Sequence, residues 1–132
     1  MDVEIAKELG ASESPSAERL MLYLPDKDCE GNSVIDHKNW VTQGQELLTD
    51  IGNGTTSFPP VTGTWRKPDG TNLWEETTMV FTFIYPDKFK ANMKRLREFL
   101  HRFGRETKQG EVVFELGELF WRINKFDPPR SP

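Results

Sequence analysis

Hydrophobic and polar positions alternate along Arg19-Leu-Met-Leu-Tyr-Leu24, placing Leu20, Leu22 and Leu24 on one face and Met21 and Tyr23 on the other. That period of two predicts a strand, closed by Pro25 and a polar loop. Ser33-Val-Ile-Asp36 has the spacing of a helix-opening capping box, with Asp in the acidic position. Beyond it the period changes. Trp40, Gly44, Leu47 and Ile51, flanked by Val41 and Leu48, form a helical stripe that Gly52-Asn-Gly54 ends. Residues 55–60 read as a loop, and Val61–Lys67 as a second strand. Pro68-Asp-Gly70 is a turn, because proline presets φ and Asp and Gly favour the bend.

Trp74–Tyr85 is the most strand-like stretch. Thr77, Met79, Phe81, Phe83 and Tyr85 share one side, Thr78, Val80, Thr82 and Ile84 the other, so a central strand apolar on both faces is expected. Phe89, Met93, Leu96, Leu100 and Phe103 then step by three and four, with Phe99 widening the stripe and Gly104 offering a stop. Residues 111–116 and 118–123 are β-rich and broken by Gly117, giving a bulged strand or a short hairpin. The order predicts an α+β fold of the ferredoxin-like kind, β-α-β-β-α-β, with an antiparallel sheet and two helices on one face.

The ends differ from this body. Residues 1–18 hold five acids against Lys7, with a linker-like Gly10–Ser16 and Val3, Ile5 and Leu9 able to line a short helix. They read as an acidic arm or linker, either mobile or docked on a partner or second subunit. Residues 127–132 are a proline-rich tail, leaving one domain over 19–126. A length of 132 residues and 36% hydrophobic content suit a single core. The net charge is −4. Apolar runs fall short of the roughly 20 residues that span a bilayer, and the acidic opening shows no secretory signal, so a cytoplasmic protein without membrane contact is expected.

Chemistry is sparse. Cys29 is the one cysteine, which excludes an intrachain disulfide and a multi-cysteine zinc site and reads as a free surface thiol. His37 and His101, near opposite ends of the two helices, lack a carboxylate at ligand spacing; no metal and no cofactor is expected. Between Pro86 and Lys108, eight Lys and Arg residues, Arg95 and Arg102 among them, stand against three acids. This basic helix could meet a protein or an anionic partner. Nucleic acid is disfavoured, because the glycine-aromatic motif of RNA-recognition sheets is missing. If the two strands form a hairpin, Thr62-Gly-Thr-Trp-Arg66 and Trp74-Glu-Glu-Thr77 face one another across the turn, so that Trp65 and Arg66 could join carboxylates in a polar pocket. Glu75 or Glu76 would serve as a base if burial raised its pKa, although neighbours on a strand point to opposite faces.

Several pieces together carry a resemblance: the Leu-Tyr-Leu24 strand, the Trp40 helix, Phe58-Pro with Gly63-Thr-Trp-Arg66, Glu76-Thr-Thr-Met-Val80, and Phe103-Gly104. The run from Arg19 to Phe126 resembles an uncharacterised bacterial family of small ferredoxin-like domains. Members often carry a secretory or lipoprotein leader, which this opening does not show. The resemblance implies the fold and no known reaction.

Two helices cover one side of such a sheet, so the other side stays apolar, and a homo-oligomer through that open face is expected. The primary functional expectation is a noncatalytic, self-associating binding module. The alternative is a small enzyme or ligand-binding protein of the dimeric α+β-barrel type, with a pocket near Trp65, Arg66 and Glu76. Partner or ligand contact is assigned to Trp65, Arg66, Glu76, His101, Arg95 and Arg102; no catalytic residue is assigned.

Overall fold

The computed structural model describes residues 2–12 and 17–130. Its elements are α1 (Asp2–Leu9), β1 (Glu18–Pro25), α2 (His37–Gly52), β2 (Thr56–Ser57), β3 (Val61–Arg66), β4 (Asn72–Ile84), α3 (Pro86–Ala91), α4 (Met93–Glu106), β5 (Val112–Leu116) and β6 (Leu119–Ile123). Residues 13–16 of the expected linker and the last two of the tail lie outside the described residues. The class is α+β, with a six-stranded antiparallel sheet of order β2-β4-β1-β5-β6 and β3 also paired to β4. The expected β-α-β-β-α-β plan is met at the level of class. Two further strands, β2 and β6, and two further helices lengthen the order.

Alternation sets the two faces. Leu20, Leu22 and Leu24 of β1, Val80 and Ile84 of β4 and Val112 of β5 are sealed beneath α2 and α4. Trp40 of α2 meets Phe103 of α4 with ring centroids 5.4 Å apart and Phe99 at 6.2 Å. This layer is the core. Truncating any of its fully buried leucines to alanine should cost about 2–5 kcal/mol. No helix among the described residues is long and apolar enough to cross a membrane.

Three local expectations are corrected. The capping box at Ser33 does not form: α2 starts at His37, and Asp36 adopts a left-handed φ of 57° with no side-chain cap. Ser33 is drawn instead into a β-bridge with Lys27, whose ammonium donates to its hydroxyl at 3.0 Å. The helix expected over 89–103 is two helices, interrupted at Asn92. There the side-chain amide donates to the Lys88 carbonyl at 2.8 Å, the kind of local competition that unsettles helix interiors. Gly104 does not stop α4. It lies inside the helix, buried, where a Cβ would come within 2.3 Å of the Phe126 ring. Gly117, at φ 61°, turns β5 into β6, which makes the hairpin of the two arrangements left open.

Candidate functional site

The face of the sheet away from the helices carries Arg19, Met21 and Tyr23 from β1, Glu75 to Phe83 at alternate positions of β4, and Val61, Gly63 and Trp65 from β3. Gly63 stands opposite Glu75. A Cβ there would meet the Glu75 side chain at 3.4 Å, an ordinary contact, so the carboxylate lies packed against this part of β3. The Trp65 indole N–H donates to Glu75 Oε1. Glu75 is 7% exposed. Burial pushes its pKa up from the ordinary carboxylate range; the negative charge of Asp26 adds to this, and hydrogen bonds from Trp65 and Thr77 oppose it.

A second polar pair lies beside the first. The Tyr23 hydroxyl donates to Glu115 of β5, and the Tyr23 ring meets Phe120 of β6 edge-on, with centroids 6.4 Å apart. Burial, and then the bond to Glu115, raise the Tyr23 pKa to about 12. Between the β3–β4 hairpin and the loops carrying Cys29 and Gln109 lies a cleft of about 310 Å³, lined by Tyr23, Trp65, Leu73, Glu75, Thr77 and Val113 among others. No salt bridge among the described residues reaches Glu75 or Glu115. The cleft therefore offers an aromatic wall, a floor acceptor without a paired cation, and a carboxyl able to hold a proton closer to neutrality than a free one.

The other sequence candidates are scattered. Arg66 lines the cleft, but its guanidinium donates to the Gly70 carbonyl at 3.0 Å. Glu76 is exposed and accepts from the Thr62 hydroxyl at 3.1 Å, on the opposite side of the strand from Glu75. Arg95 pairs with Asp50 at 3.0 Å, and Arg102 lies 4.9 Å over Trp40 while donating to Gln43 at 2.7 Å. His101 is buried on α4, its Nδ1 accepting the Asp127 N–H at 2.8 Å. His37 Nε2 bonds the Leu24 carbonyl at 2.8 Å, and Cys29 is a free, exposed thiol. Among the described residues no group of three or more His, Cys, Asp or Glu side chains is placed to hold a metal ion. Trp65 is thus the one sequence candidate in direct contact with the Glu75 floor. Tyr23 and Glu115 were missed, although both stand on the open face by alternation from residues already assigned to it.

No protein-family model matches the chain, and no curated protein sequence does. The family resemblance accordingly extends no further than a small α+β domain. Among solved structures, a phage SAM lyase in complex with S-methyl-5′-thioadenosine superposes with a TM-score of 0.64 at 9% identity, covering 86% of this chain and 94% of that one. The apo form of a phage SAM lyase gives 0.62. A Bacillus cereus protein related to NIF3 gives 0.51 at 15% identity, over 93% of this chain and 33% of that one. At these identities the likeness is one of fold.

Proposed function

We propose that the open-face cleft binds a small organic cation bearing a planar ring, an adenosyl sulfonium or a related amine. The observation that carries this reading is Glu75, buried against Trp65 with no cation bonded to it. A carboxylate in such a place is stabilised by an incoming positive charge, and an indole face attracts both cations and flat rings. The cleft is of a size that takes much of such a ligand. The structural neighbour that holds S-methyl-5′-thioadenosine supplies the first compounds to try.

Calorimetric titration with S-adenosylmethionine and with uncharged methylthioadenosine tests it. Saturable binding of the sulfonium is expected, weakened about tenfold or more by Glu75→Gln, with the thioether little changed; Trp65→Ala weakens both. Absence of saturation by either compound, or unaltered sulfonium affinity in Glu75→Gln, refutes the reading.

A second reading, pairing of two chains through the open face, is favoured by Phe83, 60% exposed, and Phe120, 46% exposed, on that same surface. Phe83→Asp would then reduce the mass in solution while leaving the cleft intact.

A further inference from the structure

On the helix side, α4 and the β5–β6 hairpin diverge and leave a groove of about 470 Å³, lined by Phe89, Met93, Leu96, Phe114, Trp121 and Ile123 among others. Its floor belongs to the core, yet Met93 is 50% exposed and Trp121 49%. Lys94 and Arg97 stand along its α4 side. Elsewhere in the chain lies a helix with the complementary surface. In α1, Ile5 and Leu9 are one turn apart on one face, 46% and 77% exposed, while Val3, 74% exposed, points to a different side of the helix. Its charged positions include Glu4 and Glu8, with Lys7 between them.

We propose that α1 of one copy of the chain seats in this groove of another copy. A helix of eight residues is too short to hold itself in water, so α1 needs an apolar surface to lie on. At about 12 Å long, it presents Ile5 and Leu9 within the reach of one such groove. Glu4 and Glu8 of α1 meet Lys94 on this flank of α4, where Arg97 is already paired with Asp127, and that sets the direction of attraction. Its own chain leaves the apolar residues of α1 in solvent, so the surface they cover belongs to a neighbour. This contact is separate from the open-face cleft and from pairing through Phe83.

Sedimentation equilibrium of the full chain, across concentration and salt, tests the proposal. The wild type should show a mass of two or more chains, dissociating as salt rises. Leu9→Glu in the arm and Met93→Glu in the groove should each weaken association at least about tenfold, since each places a charge where an apolar side chain would be buried. Mixing the two variants should restore a mixed complex, because one supplies an intact groove and the other an intact arm. Lys94→Glu, at an exposed position, replaces Met93→Glu if that variant loses its circular dichroism. A monomeric wild type overturns the proposal. So does an assembly that survives both variants but falls apart with Phe83→Asp, or variants that lower the melting temperature of a monomer, which would mean the arm lies on its own chain.

Discussion

Replacing Gly104 by alanine should destabilise this protein, against the usual rule for a helix interior. Within an α-helix that change ordinarily gains about 1 kcal/mol, because glycine loses more backbone freedom on folding. Here the new Cβ would fall 2.3 Å from Phe126 Cε1 and 2.4 Å from Cζ, so the ring must leave. It cannot leave freely. Behind it, the Asp127 carboxylate accepts two bonds from Arg97 at 2.7 and 2.8 Å, the Asp127 carbonyl accepts from Arg105 at 2.7 Å, and the Asp127 N–H donates to His101. Overpacking of a filled site costs about 1–3 kcal/mol. Expelling a half-buried phenyl ring costs about 1 kcal/mol, a fraction of its full burial. After the helical gain is set against these, Gly104→Ala should lose about 1–3 kcal/mol, a fall in Tm of about 3–12 °C.

The same substitution in a Phe126→Ala background meets no ring and should stabilise by about 1 kcal/mol. Urea unfolding of the four proteins, followed by tryptophan fluorescence, yields a coupling energy of about 2–4 kcal/mol between the two positions. If Gly104→Ala raises stability equally in both backgrounds, the C-terminal strap is not seated on α4 and the packing argument fails.

Other outcomes follow from the titrating groups. His101 is held below the ordinary imidazole range by burial, opposed by Asp127 and reinforced by Arg97 and Arg105. The folded state therefore binds a proton less readily than the unfolded chain. Its contribution to stability is complete above the ordinary imidazole pKa and lost as pH falls through the depressed value; thermal melts from pH 7 to 5 should show this slope, flattened in His101→Gln. Tyr23 titrates the other way: with its pKa raised to about 12, stability should fall as pH rises from about 10 toward that value. Tyrosinate absorbance should show a component near 12 that Tyr23→Phe removes and Glu115→Gln moves toward the ordinary range.

Alternation made most of the sheet legible. Leu20, Leu22 and Leu24 announce which side of β1 faces the helices, and the paired sets of β4 announce its central place. The stripe of Leu96, Leu100 and Phe103 does the same for α4. What failed depended on partners distant in sequence. A glycine that admits a tail, such as Gly104, has the same letter as one that ends a helix, and only Phe126 distinguishes them. Ser33 and Asp36 have the spacing of a cap, but Lys27 claims the serine first. The site shows the same limit. Strand parity separates Glu75 from Glu76, yet Glu75 is covered by the reach of Trp65 across from β3, and the far wall of the cleft is built by Gln109 and Gly110.

That burial has an energetic consequence which separates a binding group from a structural strut. A carboxyl whose folded pKa lies above its unfolded value supports the fold fully only while protonated, and its contribution is lost as pH rises through the folded pKa. Above that pH, ionised Glu75 destabilises the chain. Glutamine in its place could still accept the bond from Trp65 without carrying a charge. Glu75→Gln should therefore leave Tm unchanged at acid pH and raise it at alkaline pH, while abolishing the preference for a cationic ligand. A bound cation would favour the same ionised form, so affinity for it should climb with pH over the interval in which the wild type loses stability, with a proton released on binding. Calorimetry in two buffers of different ionisation enthalpy reads that proton directly. A Glu75→Gln variant that is less stable at every pH would show that the carboxylate holds the hairpin together, and the ligand reading of the cleft would lose its support.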